Sequence, residues 1–142
     1  MSTVETLFTV FNTATLLPWG MMIAAPRSAP PQWLLRTLWF PLLYAGAYSV
    51  LLFWLLAGSS EMPDFSTLNG VMALFKSEWG VLVGWIHYLA FDLMVGIWAL
   101  GDAQRRGVPH GFMVLFLPLT LLFGPFGFAL YCLVRLRYPL PA

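Results

Sequence analysis

Asp92 is the residue around which chemistry can be built. It stands in Trp85-Ile86-His87-Tyr88-Leu89-Ala90-Phe91-Asp92-Leu93, a run that is otherwise apolar and aromatic. A carboxylate carried to the centre of a bilayer costs about 2.5–3.5 kcal/mol even on the lenient insertion scale. It must therefore face the inside of a helix bundle and either find a partner or give up its charge. Two roles are open to it. One is a structural hydrogen-bond partner for Asn12, a threonine or a tyrosine. The other is an acid or base acting on a membrane-soluble substrate. On a helix turning about 100° per residue, Glu78, Trp85, Asp92 and Ala99 recur every seventh position and share one face. Tyr88 and Asp102 fall within about 80° of Asp92 on the same arithmetic. His87 lies about 140° away, so His87 and Asp92 cannot ligate one metal from a straight helix.

The other polar residues also carry two readings each. His87 is either a helix–helix hydrogen-bonding residue or the complement to Asp92 in proton transfer. Glu78 opens a helix, where it suits the positive end of the dipole; it is equally placed as a wet acid at the membrane face. Asp102 precedes Arg105 and Arg106, which reads as a solvated helix end with an Asp102–Arg105 surface pair. His110 follows Pro109 at the interface. A set of His87, Asp102 and His110 matches no zinc spacing such as His-Glu-x-x-His, so no metal is expected.

The elements that must hold these residues are membrane helices. Of the 142 residues, 60% are hydrophobic and 9% charged, against about 45–50% and about 25% in a soluble domain. So few charges exclude both a water-coated globule and a disordered chain. The net charge of +1 comes with no basic run, so nucleic-acid binding has no electrostatic footprint. The single cysteine, Cys132, excludes an intrachain disulfide and a cysteine metal cluster.

A spanning helix needs about 20 mostly apolar residues. Residues 4–25, 38–57, 79–101 and 112–134 qualify. The expected fold is all-α: a polytopic membrane protein, one domain over residues 1–142, with four transmembrane helices in an up-down bundle. Residues 26–31, rich in proline, form a loop on this reading. The long connection from Gly58 to Glu78 contains a short apolar stretch, residues 68–75, suited to an interfacial turn of helix. Gly101 to His110 makes the third connection. Inside the fourth segment, Pro118 and Pro125 each remove one backbone bond, freeing the carbonyls of Val114 and Leu121. With Gly124 and Gly127, this segment is either a broken helix lining a cavity or a kinked helix packed through small residues.

The first charged side chain is Glu5 rather than a basic n-region, so the first segment is expected to be a retained helix. Arg27, Arg36, Arg105 and Arg106 fall on one side of the expected bundle, and Lys76, Arg135 and Arg137 on the other. That four-to-three margin places both termini outside the cytoplasm. Tryptophans near helix ends suit interfacial anchoring. The 17% aromatic content serves either lipid contact or a slot for a long conjugated ligand.

The pattern Trp-x-His-Tyr-Leu-x-Phe-Asp-Leu-x-x-Gly-x-Trp-x-x-x-Asp runs from Trp85 to Asp102. Leu121-Leu122-Phe123-Gly124-Pro125-Phe126-Gly127 follows it, and Glu5-Thr6-Leu7-Phe8 with Asn12 precedes both. Together these resemble the abscisic-acid-deficient-four-like family of small four-helix membrane proteins, over nearly the whole chain. Plant members are implicated in forming neoxanthin from violaxanthin. The resemblance therefore implies an intramolecular isomerisation in which an epoxide opens, a neighbouring proton is lost, and an allene and an alcohol result. No redox change occurs, so no cofactor is implied. With no plastid transit peptide, the chain is expected in a bacterial inner membrane.

Three functions follow. The first is a carotenoid- or isoprenoid-modifying isomerase, with Asp92 as acid or base and His87 or Glu78 as its complement. Trp85, Tyr88, Asn12 and Asp102 would line the ligand slot. The second is a non-catalytic membrane protein that binds a pigment or lipid, or assists a pigment–protein complex. The third is a small transporter, for which four helices would need to associate as a homo-oligomer to form a pathway.

Overall fold

The computed structural model describes residues 1–59 and 63–140. Ser60, Glu61 and Met62, assigned above to the long connection, lie outside the described residues. The described residues are all-α and form seven helices: α1 Thr3–Ala24, α2 Ala29–Thr37, α3 Trp39–Ala57, α4 Leu68–Leu74, α5 Glu78–Arg106, α6 His110–Phe123 and α7 Pro125–Arg135. Of these, α1, α3 and α5 are long and apolar enough to cross a membrane.

Local chemistry sets the helix ends. Ser2 and Glu5 close a capping box at the start of α1, which satisfies two of the amides a helix start leaves open. The loop expected over residues 26–31 is shorter than that, because Pro30 and Pro31 belong to the first turn of α2. A proline costs nothing there, since first-turn amides have no acceptor within the helix and the ring fixes a helical φ. The third segment, expected to end at Gly101, runs on to Arg106. Asp102 and Arg106 pair across one turn at 2.9 Å. Gly107 then adopts φ 68° and ends the helix, a left-handed conformation natural to glycine.

α5 is the central post. Half of its apolar window is buried, against 22% for α1 and 11% for α3. It packs against α1, α2, α3, α6 and α7. One cluster, with Tyr44, Leu82, Ile86 and Leu89, surrounds its first half. A larger one, with Trp19, Leu93, Leu100 and Tyr131, surrounds its second half.

The fourth segment departs from expectation. It does not form a single pass in an up-down bundle. The chain breaks at Gly124 (φ 35°, ψ −95°), and α7 folds back along α6. Contacts pair residues placed symmetrically about the break. Gly127 lies against the backbone of Thr120, and the rings of Phe116 and Tyr131 sit 6.4 Å apart. Both feet of this hairpin reach the same end of α5. His110 Nε2 is 2.8 Å from the carbonyl of Ile23, near the end of α1, and Arg135 meets Asp102. The tip, Gly124, rests beside Asp92. At 1.5 Å per residue, Asp92 stands roughly 21 Å from Glu78 and roughly 15 Å from Asp102 along α5. The hairpin thus starts and ends at the Asp102 end of α5 and turns beside the middle of that helix.

This topology separates the charges. Six of the seven basic residues, Arg27, Arg36, Arg105, Arg106, Arg135 and Arg137, gather at the Asp102 end. The opposite end holds Lys76 with Glu5 and Glu78, and Asp64 close to Leu74 and Ser77. The chain ends also part. Ser2 lies at the Glu78 end and Tyr138 at the arginine end, whereas the four-pass reading put both on one side.

Candidate functional site

Asp92 and Tyr88 sit one turn apart on α5, so their side chains emerge on the same face. Both face the hairpin tip. Tyr88 Oη donates to the carbonyl of Leu121 at 3.3 Å. This is the carbonyl that Pro125, lacking an N–H, cannot pair. The Asp92 carboxyl lies against Gly124, where a Cβ would come within 2.9 Å of Oδ1. Gly124 is the N-cap of α7, a helix whose first amides have no acceptor within it and whose dipole favours a negative group nearby. A phenol thus meets the carbonyl end of α6, and a carboxyl lies against Gly124, the N-cap of α7.

Asp92 is 9% exposed, and its buried Oδ2 has no hydrogen-bond partner among the described residues. The Tyr88 hydroxyl lies close enough to interact with it. The structural reading that paired Asp92 with Asn12 does not hold: Asn12 Oδ1 instead accepts from Trp85 Nε1 at 3.2 Å. Trp85 stacks on Tyr88, with ring centroids 5.3 Å apart.

These residues frame a crevice of about 260 Å³ between α1, α5 and α6, lined by Asn12, Thr15, Trp85, Tyr88, Leu89 and Leu121. Three of the four residues expected to contact a ligand, Asn12, Trp85 and Tyr88, therefore come together. Asp92 stands one turn along α5, behind Tyr88. The arrangement offers a phenol and an amide to a polar atom on an otherwise apolar ligand, with a buried carboxyl in reserve behind the phenol.

The remaining expected residues lie elsewhere. His87 is exposed on another face, with its ring 5.3 Å from Tyr48 and 4.7 Å from Phe91. Glu78 is exposed at the start of α5. It shares an angular position with Asp92 but stands four turns away. Neither can exchange a proton with Asp92 in this arrangement. His87, Asp102 and His110 also stay apart, and among the described residues no three His, Cys, Asp or Glu side chains gather as a metal site.

Asp102 corrects the expectation of a solvated helix end. It is 3% exposed. Its Oδ2 accepts from Tyr131 Oη at 2.6 Å and lies 2.9 Å from both Arg106 Nε and Arg135 Nε. Arg135 Nη2 adds a bond to Oδ1 at 3.2 Å, completing a bidentate fork. Arg105, the partner expected from spacing, is 3.8 Å away and mostly exposed. Asp102 therefore pins α7 to α5, and it does not line the crevice. No sequence signal marked Tyr131 or Arg135 as its partners. The importance of Leu121 could be read from Pro125, which frees its carbonyl.

A family model described as ABA DEFICIENT 4-like matches residues 6–131. The match takes in the crevice, the hairpin tip and the Asp102–Tyr131 contact, and the chain belongs to that family, as its motifs imply. No curated protein and no solved structure matches it.

Proposed function

We propose that this member of the ABA DEFICIENT 4-like family is an integral membrane isomerase. It takes one end group of a long isoprenoid, carotenoid in kind, into the crevice beside Tyr88. The observation that carries the reading is the buried, unpartnered Oδ2 of Asp92 one turn from a crevice-lining phenol. A volume of about 260 Å³ is just under the range of about 300–1,000 Å³ common for small-molecule pockets. It suits an end ring, with the polyene left in lipid.

Protonated Asp92 passes its proton through Tyr88 Oη to the epoxide oxygen as the C–O bond breaks. The carbon next to it gives a proton back to the same pair, and its C–H electrons become the second double bond of an allene. Atoms and charge balance, and nothing is oxidised or reduced. Asn12 spends Oδ1 on Trp85 and keeps its amide N–H groups for a ligand hydroxyl.

The test is reconstitution with a carotenoid epoxide in liposomes, with isomers of equal mass resolved chromatographically. Wild type should form an allenic isomer, and Asp92→Asn should slow it by roughly 10²–10⁴-fold, the usual share of acid–base catalysis. Retained turnover in that variant overturns the assignment.

One observation favours a second reading. Tyr88 and Asp92 also hold the hairpin tip, and neither His87 nor Glu78 stands near them. On that reading the protein binds a pigment or lipid stoichiometrically and releases it unchanged. Conversion during reconstitution counts against it.

The orientation belongs to the same proposal. With six arginines at one end and Lys76 alone at the other, the arginine end faces the cytoplasm. Ser2 then lies outside and Tyr138 inside.

A further inference from the structure

A second cavity, separate from the crevice beside Tyr88, runs along the last part of α5. It is an open groove of about 900 Å³ between α2, Leu38 just ahead of α3, and α7. Its walls are apolar, with Leu35, Met94, Trp98 and Phe128 prominent, and its end carries Arg36 and Arg105. From Met94 to Arg105 the groove follows α5 for eleven steps of rise, or roughly 16 Å. That is the depth of one leaflet of a hydrocarbon core about 30 Å thick.

The two arginines are poorly neutralised. Arg36 has no ion pair among the described residues. Arg105 reaches only within 3.8 Å of Asp102, whose oxygens already serve Arg106, Arg135 and Tyr131. α2 is held in place rather than loosely docked. Gln32 Nε2 donates to Gln104 Oε1 at 2.9 Å, and both glutamines donate to the carbonyl of Pro26. The helix that carries Arg36 is therefore held beside the groove. Trp98 is itself pinned, by the Arg135 guanidinium 5.0 Å from its ring centroid.

We infer that this groove is a binding site for a phospholipid with an anionic headgroup. One acyl chain lies between Leu35, Trp98 and Phe128, and the phosphate lies between Arg36 and Arg105. The charge of the mouth selects an anionic amphiphile, and the one-leaflet depth selects a lipid chain rather than a soluble phosphate.

Native mass spectrometry of the delipidated full chain tests this, with phosphatidylglycerol and phosphatidylcholine of matched chains as probes. Each basic residue near a membrane surface is worth about fivefold in affinity for anionic lipid. Wild type should prefer phosphatidylglycerol by about thirtyfold, and the double variant Arg36→Gln, Arg105→Gln should lose that preference. Gly101→Leu keeps both arginines but fills the groove floor, where a Cβ meets only Leu35, at 3.6 Å; it should release the bound lipid. Equal retention of the two lipids by wild type overturns the proposal. So does a preference that survives the double variant, lipid retention unchanged by Gly101→Leu, or displacement of the lipid by millimolar glycerol phosphate.

Discussion

Replacing Asp102 by Asn should loosen α7 from α5. The carboxylate is 3% exposed, while the side chains of Arg106 and Arg135 keep 15% and 23% of their surface. Removing one partner of a fully buried pair costs about 3–5 kcal/mol. The arginines retain some water and Asn can still accept from Tyr131, so about 2–3 kcal/mol is expected here. In a chain of this size that lowers the unfolding midpoint by roughly 5–12 °C. The single cysteine supplies the assay. Cys132 lies on α7 and is half-buried, so a fluorogenic maleimide reports on its release during heating in mild detergent. Arg135→Gln alone should cost less, because Asp102 keeps Arg106 and Tyr131. The decisive quantity is the double-mutant cycle. Groups in contact couple by about 0.5–3 kcal/mol, while groups more than about 7–10 Å apart add within about 0.5 kcal/mol. If α7 ran on across the membrane, Arg135 would stand far from Asp102 and the two losses would simply add. Additivity would therefore refute both the hairpin and the pin that holds it.

Two further predictions concern the ends of the molecule. A reporter that works only in the cytoplasm should be active when fused after Tyr138 and silent when fused ahead of Ser2; the reverse pattern, or activity at both ends, rejects the assigned orientation. Asp64, which accepts from Ser66 and Thr67 at the start of α4, has its carboxyl pulled down to about 2, chiefly by the Ser66 hydroxyl and then by that of Thr67. A depressed value means the stabilisation from these bonds is complete above the ordinary carboxylate range and is lost as pH falls through about 2. A carboxyl NMR titration with a midpoint near the unperturbed value, about 3.9, would contradict this.

What the sequence made legible depended on how local the cause is. α1 and α3 begin and end within a residue of expectation, because a mostly apolar segment about 20 residues long, closed by local caps and turn residues, fixes a helix wherever it lies. Helical arithmetic also placed Tyr88 toward Asp92 and turned His87 away. The same arithmetic misled for Glu78, since angle ignores rise, and fourteen residues of rise put it four turns off. Direction was invisible in the fourth segment. Hydropathy counts residues 112–134 identically whether the chain crosses or returns. The reversal rests on one backbone conformation at Gly124 and on the contact of Arg135 with Asp102, 33 residues earlier. Asp102 showed only its local candidate, Arg105, and the partners that bury it come from the returning helix. Once the return is known, the charge margin moves from four against three to six against one.

The tip of the hairpin also explains why a costly carboxyl sits in mid-helix, and how its structural and chemical roles separate. A helix broken in hydrocarbon leaves carbonyls at one end and amides at the other without partners, each an expense of several kcal/mol unless satisfied. Tyr88 donates to the Leu121 carbonyl, and Asp92, one turn on, lies against Gly124 at the N-cap of α7. Tyr88→Phe removes the only donor that the Leu121 carbonyl has among the described residues. It should destabilise the protein by about 1–3 kcal/mol, the cost of a buried unpaired acceptor. Asp92→Asn is isosteric and still presents an acceptor oxygen to the tip, so it should leave the unfolding midpoint nearly unchanged. It cannot, however, take up or release a proton. A proton-relay site therefore predicts a split: both variants lose turnover, but only Tyr88→Phe loses stability. If Asp92→Asn unfolds as readily as Tyr88→Phe, the carboxyl is there to hold the tip, and the binding reading takes the place of the isomerase.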